Sequence, residues 1–303
     1  MQACRGVSVR LWSSEAWREQ AVGWIDRRLA EAQLARTGEV EQQRVRPWAT
    51  VLRAPTSGGD VWMKAAGPAT AFEAGLVQLL ARLAPDAVLT PIAADPERGW
   101  LLLPDGGEPL PADRFDGALA RYGALQRGLA AHAGELLALG VPDMRPAIMP
   151  ARFREALDAV AAIAARADRP GDRELVTRAA ALEPAFGDWC DRLGERAPSL
   201  DHNDLHRWNV LGDGRFFDWG DAVVAHPFAT LLVPDMLDAD PGAYLDGFGD
   251  RHALREEAEL ARRVATIARV LTWERALRSA WEQGEALDER WTAAPAETLA
   301  TLL

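Results

Sequence analysis

Asp201-His202-Asn203-Asp204-Leu205-His206-Arg207-Trp208-Asn209, running on through Val210-Leu211-Gly212-Asp213-Gly214-Arg215-Phe216-Phe217 to Asp218-Trp219-Gly220-Asp221, decides the reading of this 303-residue chain. An aspartate and an asparagine five apart precede a short apolar stretch that ends in Asp-Trp. Gly212-Asp213-Gly214, between Val210-Leu211 and Phe216-Phe217, predicts a hairpin. If the chain doubles back around Asp213, Asn209 faces Phe217 or Asp218, with Cα atoms about 4.5–5.5 Å apart. Asn209 and Asp218 then reach one cation, and Asp204 lies one loop earlier. An amide oxygen and a carboxylate suit Mg²⁺, which takes few protein ligands and keeps room for phosphate oxygens. The expected chemistry is phosphoryl transfer.

Among 34 Lys and Arg there is a single lysine, Lys64. It closes Val61-Trp62-Met63-Lys64, a run that reads as a strand with alternating faces. An ammonium is a compact point charge suited to nucleotide phosphates, whereas guanidinium is a planar fork. An arginine-rich composition explains why lysine is scarce, but not why the one that remains sits on a strand.

At this length two lobes are expected, because single cores stop growing near roughly 250–300 residues. A chain 49% hydrophobic and 26% charged reads as a soluble globular protein. The net charge of −11 argues against non-specific contact with nucleic acid or anionic membrane. Cys4 and Cys190 do not suggest a disulfide framework, and a reducing cytoplasm fits them. No apolar run approaches a membrane span, and no secretory signal is apparent.

Residues 13–35 have helical spacing, with Trp17, Ala21, Trp24, Ile25 and Leu29 on one face. Strands are expected at 39–46, 49–54, 61–65, 88–94 and 100–103, with a helix over 70–83. This makes residues 1–105 a small, mostly antiparallel sheet with one main helix. The linker Pro104-Asp105-Gly106-Gly107-Glu108-Pro109 interrupts both periodicities. Residues 106–303 then read as largely helical, over 113–139, 151–167, 173–195, 251–282 and 286–302. The fold class is α+β, a β-rich lobe followed by a helical one.

These residues together resemble the aminoglycoside phosphotransferase and choline kinase-like family, small-molecule relatives of the protein kinases. The match rests on His202 to Asn209, on Phe217-Asp218-Trp219-Gly220-Asp221, and on the Lys64 strand. It implies a bilobal protein-kinase-like fold, use of ATP and Mg²⁺, and transfer of the γ-phosphoryl group to a small-molecule hydroxyl. Aminoglycosides, sugars, amino sugars and choline-like amines are all candidate acceptors. By this resemblance Asp204 orients the acceptor hydroxyl, and Asn209 and Asp218 bind Mg²⁺. Lys64 touches the α/β-phosphates and Glu73 holds it by an ion pair. The Pro104 carbonyl and the Gly106 N–H face adenine. Glu73 has a competing role, since Thr70 and Glu73 also spell a capping box.

The chain departs from the family pattern in three places. Asn203 stands where glycine is common, Arg207-Trp208 replaces a small pair, and no Gly-x-Gly-x-x-Gly covers the phosphates. The first hairpin turn, Arg46-Pro47-Trp48-Ala49-Thr50, is the expected substitute, through backbone N–H groups and the Thr50 hydroxyl. The missing glycines leave open a non-catalytic nucleotide-binding protein, although Lys64, Asp204, Asn209 and Asp218 are all present. His202 and His206, four apart, suit zinc only on a helix. No motif glutamate or nearby cysteine completes such a site. Asp221 borders the acceptor or simply closes a turn.

Overall fold

Alternation along two neighbouring strands sets the first half of the molecule. In β3 (Gly59–Ala66), Val61, Met63 and Ala65 are buried while Trp62 and Lys64 are only partly covered. β2 (Ala49–Thr56) alternates in step and buries Leu52 and Ala54. Successive strand side chains point to opposite faces, so burying Met63 sends Lys64 to the other side. Each fully buried apolar side chain stabilises the fold by roughly 1.5–3 kcal/mol.

The computed structural model describes residues 9–194 and 196–303. With β1 (Glu41–Val45), β4 (Ala93–Asp95) and β5 (Trp100–Pro104), these strands form an antiparallel sheet in the order β1-β2-β3-β5-β4. Trp17 and Trp24 of the Glu15–Glu31 helix pack edge-on against Trp100, with ring centroids 6.1 and 5.6 Å away. The helix Phe72–Leu83 buries Ala74, Leu76, Val77, Leu79 and Leu80.

The chain divides into two units. The first comprises Met1–Glu108, Arg215–Gly220 and Arg275–Leu287; the second comprises Pro109–Gly214, Asp221–Glu274 and Asp288–Leu303. The first break follows Glu108, and two later segments belong with the first unit. The second unit carries most of the helices, including Phe115–Leu129, Met149–Arg166 and Glu183–Leu193. It also carries a small sheet of β6 (Asp143–Met144), β8 (Val223–Ala225) and β7 (Ser199–Asp201). Tyr122 Oη and Gln126 Nε2 both donate to the Leu200 carbonyl at 3.0 Å, tying the Phe115–Leu129 helix to β7.

The structure corrects the expected hairpin. Leu211 bridges Pro109 in the second unit, while Phe216 bridges Val88 in the first. The turn exists, with Gly214 N–H donating to the Leu211 carbonyl at 2.7 Å, but its arms pair elsewhere. The helix expected over 173–195 is two helices, Pro170–Ala180 and Glu183–Leu193. Pro184 has no N–H to continue a helix and suits the first turn of a new one. The strand expected over 88–94 shrinks to a bridge at Val88 and the three residues of β4.

Candidate functional site

In the first unit, Lys64 meets two carboxylates. Its Nζ lies 2.8 Å from Glu73 Oε1 and 2.7 Å from Glu73 Oε2, and it pairs with Asp218 Oδ1 as well. Glu73 Oε1 also accepts the Trp219 N–H at 3.0 Å, which joins the Phe72–Leu83 helix to the Asp218-Trp219 segment. Burial opposes a charge on Lys64, yet Asp218 and Glu73 outweigh it and hold the ammonium above its usual range. Asp218 sits in the left-handed region at φ 61°. A non-glycine residue there costs conformational energy that the surrounding contacts must offset.

Glu73 therefore serves the ion pair and not a capping box. The helix cap is Ala71, with no side-chain capping bond, and Glu73 points to Lys64 instead. Thr50 does not fit a phosphate loop. It is fully buried, its hydroxyl donates to the Arg44 carbonyl and accepts from Gln42 Nε2, both at 2.8 Å, and it pairs with Val45 and Ala65 on either side. Pro104 is the last residue of β5, opposite Val61. The Gly106 N–H donates to no group among the described residues. Val77, Val88, Leu101, Leu103 and Phe216 line a narrow crevice that also reaches Glu73 and Asp218.

The second unit holds Asp204 and Asn209. Asn209 Nδ2 donates to the Asp204 carbonyl at 2.9 Å and to Asp204 Oδ2 at 3.3 Å. The Asn209 nitrogen is thus committed to Asp204, while its amide oxygen accepts no hydrogen bond among the described residues. An amide oxygen and the half-exposed Asp218 carboxylate are hard donors that fit Mg²⁺ chemically.

Around Asp204 the structure reveals a residue that the sequence did not single out. Arg269, on the Arg255–Glu282 helix, donates from Nη2 to Asp204 Oδ1 at 2.7 Å. Its Nη1 reaches Asp221 Oδ2 and the Asn203 carbonyl, both at 2.9 Å. His206 Nε2 lies 3.5 Å from Asp204 Oδ2. Burial opposes ionisation of Asp204, but the His206 hydrogen bond and the Arg269 charge hold its carboxyl well below the usual range. Asp221 thus partners an arginine. No sequence spacing marks Arg269, which is one of many arginines and lies 65 positions beyond Asp204.

Asn203 adopts φ 58° where the family commonly has glycine. Its N–H donates to Asp201 Oδ1 at 2.8 Å, and its Nδ2 donates to the Asp221 carbonyl at 3.2 Å and to Thr272 Oγ1 at 2.8 Å. Trp208 is 49% exposed, with the Arg207 guanidinium 4.1 Å from its ring centroid. His202 is buried and meets Tyr122 edge-on at 6.4 Å.

A family model described as the phosphotransferase enzyme family, APH, matches residues 27–260. Solved structures share the fold at low identity. A macrolide 2'-phosphotransferase type I is 18% identical at a TM-score of 0.59, covering 95% of this chain and 98% of that one. Choline kinase LicA from Streptococcus pneumoniae is 14% identical at 0.59, covering 93% and 99%. The GDP complex of wild-type aminoglycoside 2'-phosphotransferase-IIIa is also 14% identical at 0.59, covering 92% and 97%. No curated protein sequence matches. Among the described residues, no helix is long and apolar enough to cross a membrane. A family match over most of the chain, joined to the Lys64–Glu73 pair and the Asp204 loop, places this protein in the phosphotransferase enzyme family as a small-molecule kinase.

Proposed function

We propose that the chain transfers the γ-phosphoryl group of ATP to a hydroxyl of a small molecule. The observation that carries this reading is the state of Asp204, a carboxylate kept ionised and fixed at both oxygens by Arg269 and Asn209. Such a group is a weak base but a good orienting acceptor. In a loose transition state the hydroxyl needs aiming more than early deprotonation. The acceptor oxygen bonds to the γ-phosphorus as the bond to its bridging oxygen breaks. ADP leaves with that electron pair and the hydroxyl proton is released.

Lys64, held by Glu73, aligns the α/β-phosphates as a point charge. The base lies at the end of β5, with the Pro104 carbonyl and the Gly106 N–H as its edge contacts. Asn209 and Asp218 are the residues that would hold Mg²⁺, which would supply charge neutralisation at the phosphates. Catalysis rests on positioning and electrostatics, with no covalent enzyme intermediate. Burial pushes the Cys190 thiol up to about 12, and an inert free thiol suits a cytoplasmic protein.

The test is acceptor-dependent ADP release over a panel of aminoglycosides, amino sugars, sugars and choline-like alcohols. Asp204→Ala abolishes turnover and spares nucleotide binding. Full turnover in that variant would overturn the assignment.

A further inference from the structure

The geometry points to Arg269 as the positioning residue for Asp204, and to the Arg255–Glu282 helix as the platform that sets the catalytic loop. The inference rests on Asp204 being the hydroxyl-orienting group.

A carboxylate turns about its terminal torsion unless both oxygens are engaged. Arg269 Nη2 takes Oδ1 at 2.7 Å, and Asn209 Nδ2 takes Oδ2 at 3.3 Å. The same guanidinium spans to the carbonyl of Asn203, the residue before Asp204, and to Asp221 Oδ2. One planar fork thus fixes the carboxylate, the backbone that carries it and the segment after Trp219. Thr272, three positions along the helix and so on the same face, accepts from Asn203 Nδ2 while donating to the Ala268 carbonyl at 3.0 Å. Two neighbouring residues of one helix therefore grip the loop at a left-handed residue that must be held.

Stability alone does not account for this arginine. Its side chain is only 16% exposed, and well-packed apolar residues often replace buried ion pairs at no loss of stability. One of its nitrogens takes the carboxylate that the proposed reaction uses, and the other holds the loop backbone before it and Asp221. A lysine in its place could carry the charge but not three directed bonds from one plane.

The experiment compares the parent chain with Arg269→Met, Arg269→Lys and Asp221→Asn. Hydrolysis of ATP in the presence of Mg²⁺, with water in place of the acceptor, is followed as ADP release. This readout does not depend on knowing the acceptor. The KM for ATP, ADP affinity and Tm are measured alongside. Arg269→Met is expected to lower kcat by about 100-fold, the scale of a small misplacement of a reacting group, with KM for ATP and ADP affinity within about threefold. Arg269→Lys falls between Met and parent, and Asp221→Asn loses less than either.

A folded Arg269→Met with parent-like kcat overturns the inference. So does a variant in which kcat, nucleotide affinity and Tm fall together, since that is a structural role. If Arg269→Met does not fold, Arg269→Lys decides: a reduced kcat at parent Tm and KM supports positioning, and a parent-like kcat refutes it. Asp204→Ala runs in parallel. If that variant keeps turnover, the functional reading itself fails; if only the Arg269 variants stay active, this inference fails alone.

Discussion

Gly220 packs closely under Glu73: a Cβ built on it comes 3.3 Å from Glu73 Oε2 and 3.4 Å from Lys64 Nζ. The glycine after Asp218-Trp219 is thus the floor under the ion pair. Its backbone has ordinary angles, so contact and not torsion restricts the position. Overpacking costs about 1–3 kcal/mol, and each 1.4 kcal/mol is tenfold in affinity. Gly220→Val should displace the Lys64–Glu73 pair and weaken ADP binding about tenfold, with Gly220→Ala in between. Titration calorimetry with ADP checks this, and parent-like affinity in Gly220→Val would refute it.

Lys64 and Glu73 depend on each other in the fold as well as in the site, and the two roles separate by mutation. Glu73 is almost wholly buried, and Lys64→Met leaves it with the Trp219 N–H but no cation. Removing one partner of a buried pair costs about 3–5 kcal/mol. Lys64→Met should therefore lose both Tm and activity. Adding Glu73→Leu removes the stranded charge, so the double variant regains most of the Tm and none of the turnover. If Tm stays low in the double variant, the single-variant loss is not due to the unpaired carboxylate.

What the sequence discloses here is what repeats or clusters. The period-two pattern through Val61, Met63 and Ala65 sets the sheet and turns Lys64 to the opposite face, and the helical spacing of Trp17, Trp24 and Leu29 sets the helix that covers it. Asp204 and Asn209 lie five apart, so local geometry alone brings them together. Arg269 is a different case, because the helix that presents it meets the loop only in the fold. The hairpin expectation failed for a related reason. Val210-Leu211 and Phe216-Phe217 have the apolar character to pair with each other, but Pro109 and Val88 are the partners they take, and local sequence carries no trace of that choice. Thr50 misled because a threonine beside a turn reads as available, whereas Arg44 and Gln42 consume its hydroxyl.

Asn203 combines a left-handed backbone with two side-chain bonds, and substitutions distinguish these. Asn203→Gly keeps the backbone geometry and loses the bonds to the Asp221 carbonyl and Thr272. Asn203→Ala loses the bonds and adds the steric cost of the left-handed region, about 1–2 kcal/mol. The expected order of Tm is parent, then Gly, then Ala, with turnover following the same order. Equal Tm values for Gly and Ala would show that the loop relaxes to another conformation.

Asp201 gives the fold a pH dependence of unusual sign for a carboxylate. It is fully buried, and burial pushes its carboxyl up to about 6, against the opposing pull of the Asn203 N–H. The folded chain therefore keeps this proton up to about pH 6, whereas the unfolded chain releases it near pH 4. Below pH 4 both states are protonated and the group costs nothing. Between the two values the folded state binds more protons, so stability falls as pH rises, and the full penalty stands above pH 6. Asp201→Asn keeps an acceptor for the Asn203 N–H and cannot ionise. The variant should be more stable than the parent by ~2–3 kcal/mol at pH 7.5, with the gap closing towards pH 4. Denaturant unfolding of both chains across that range measures the gap, and one that does not change with pH would mean that Asp201 is not the titrating group.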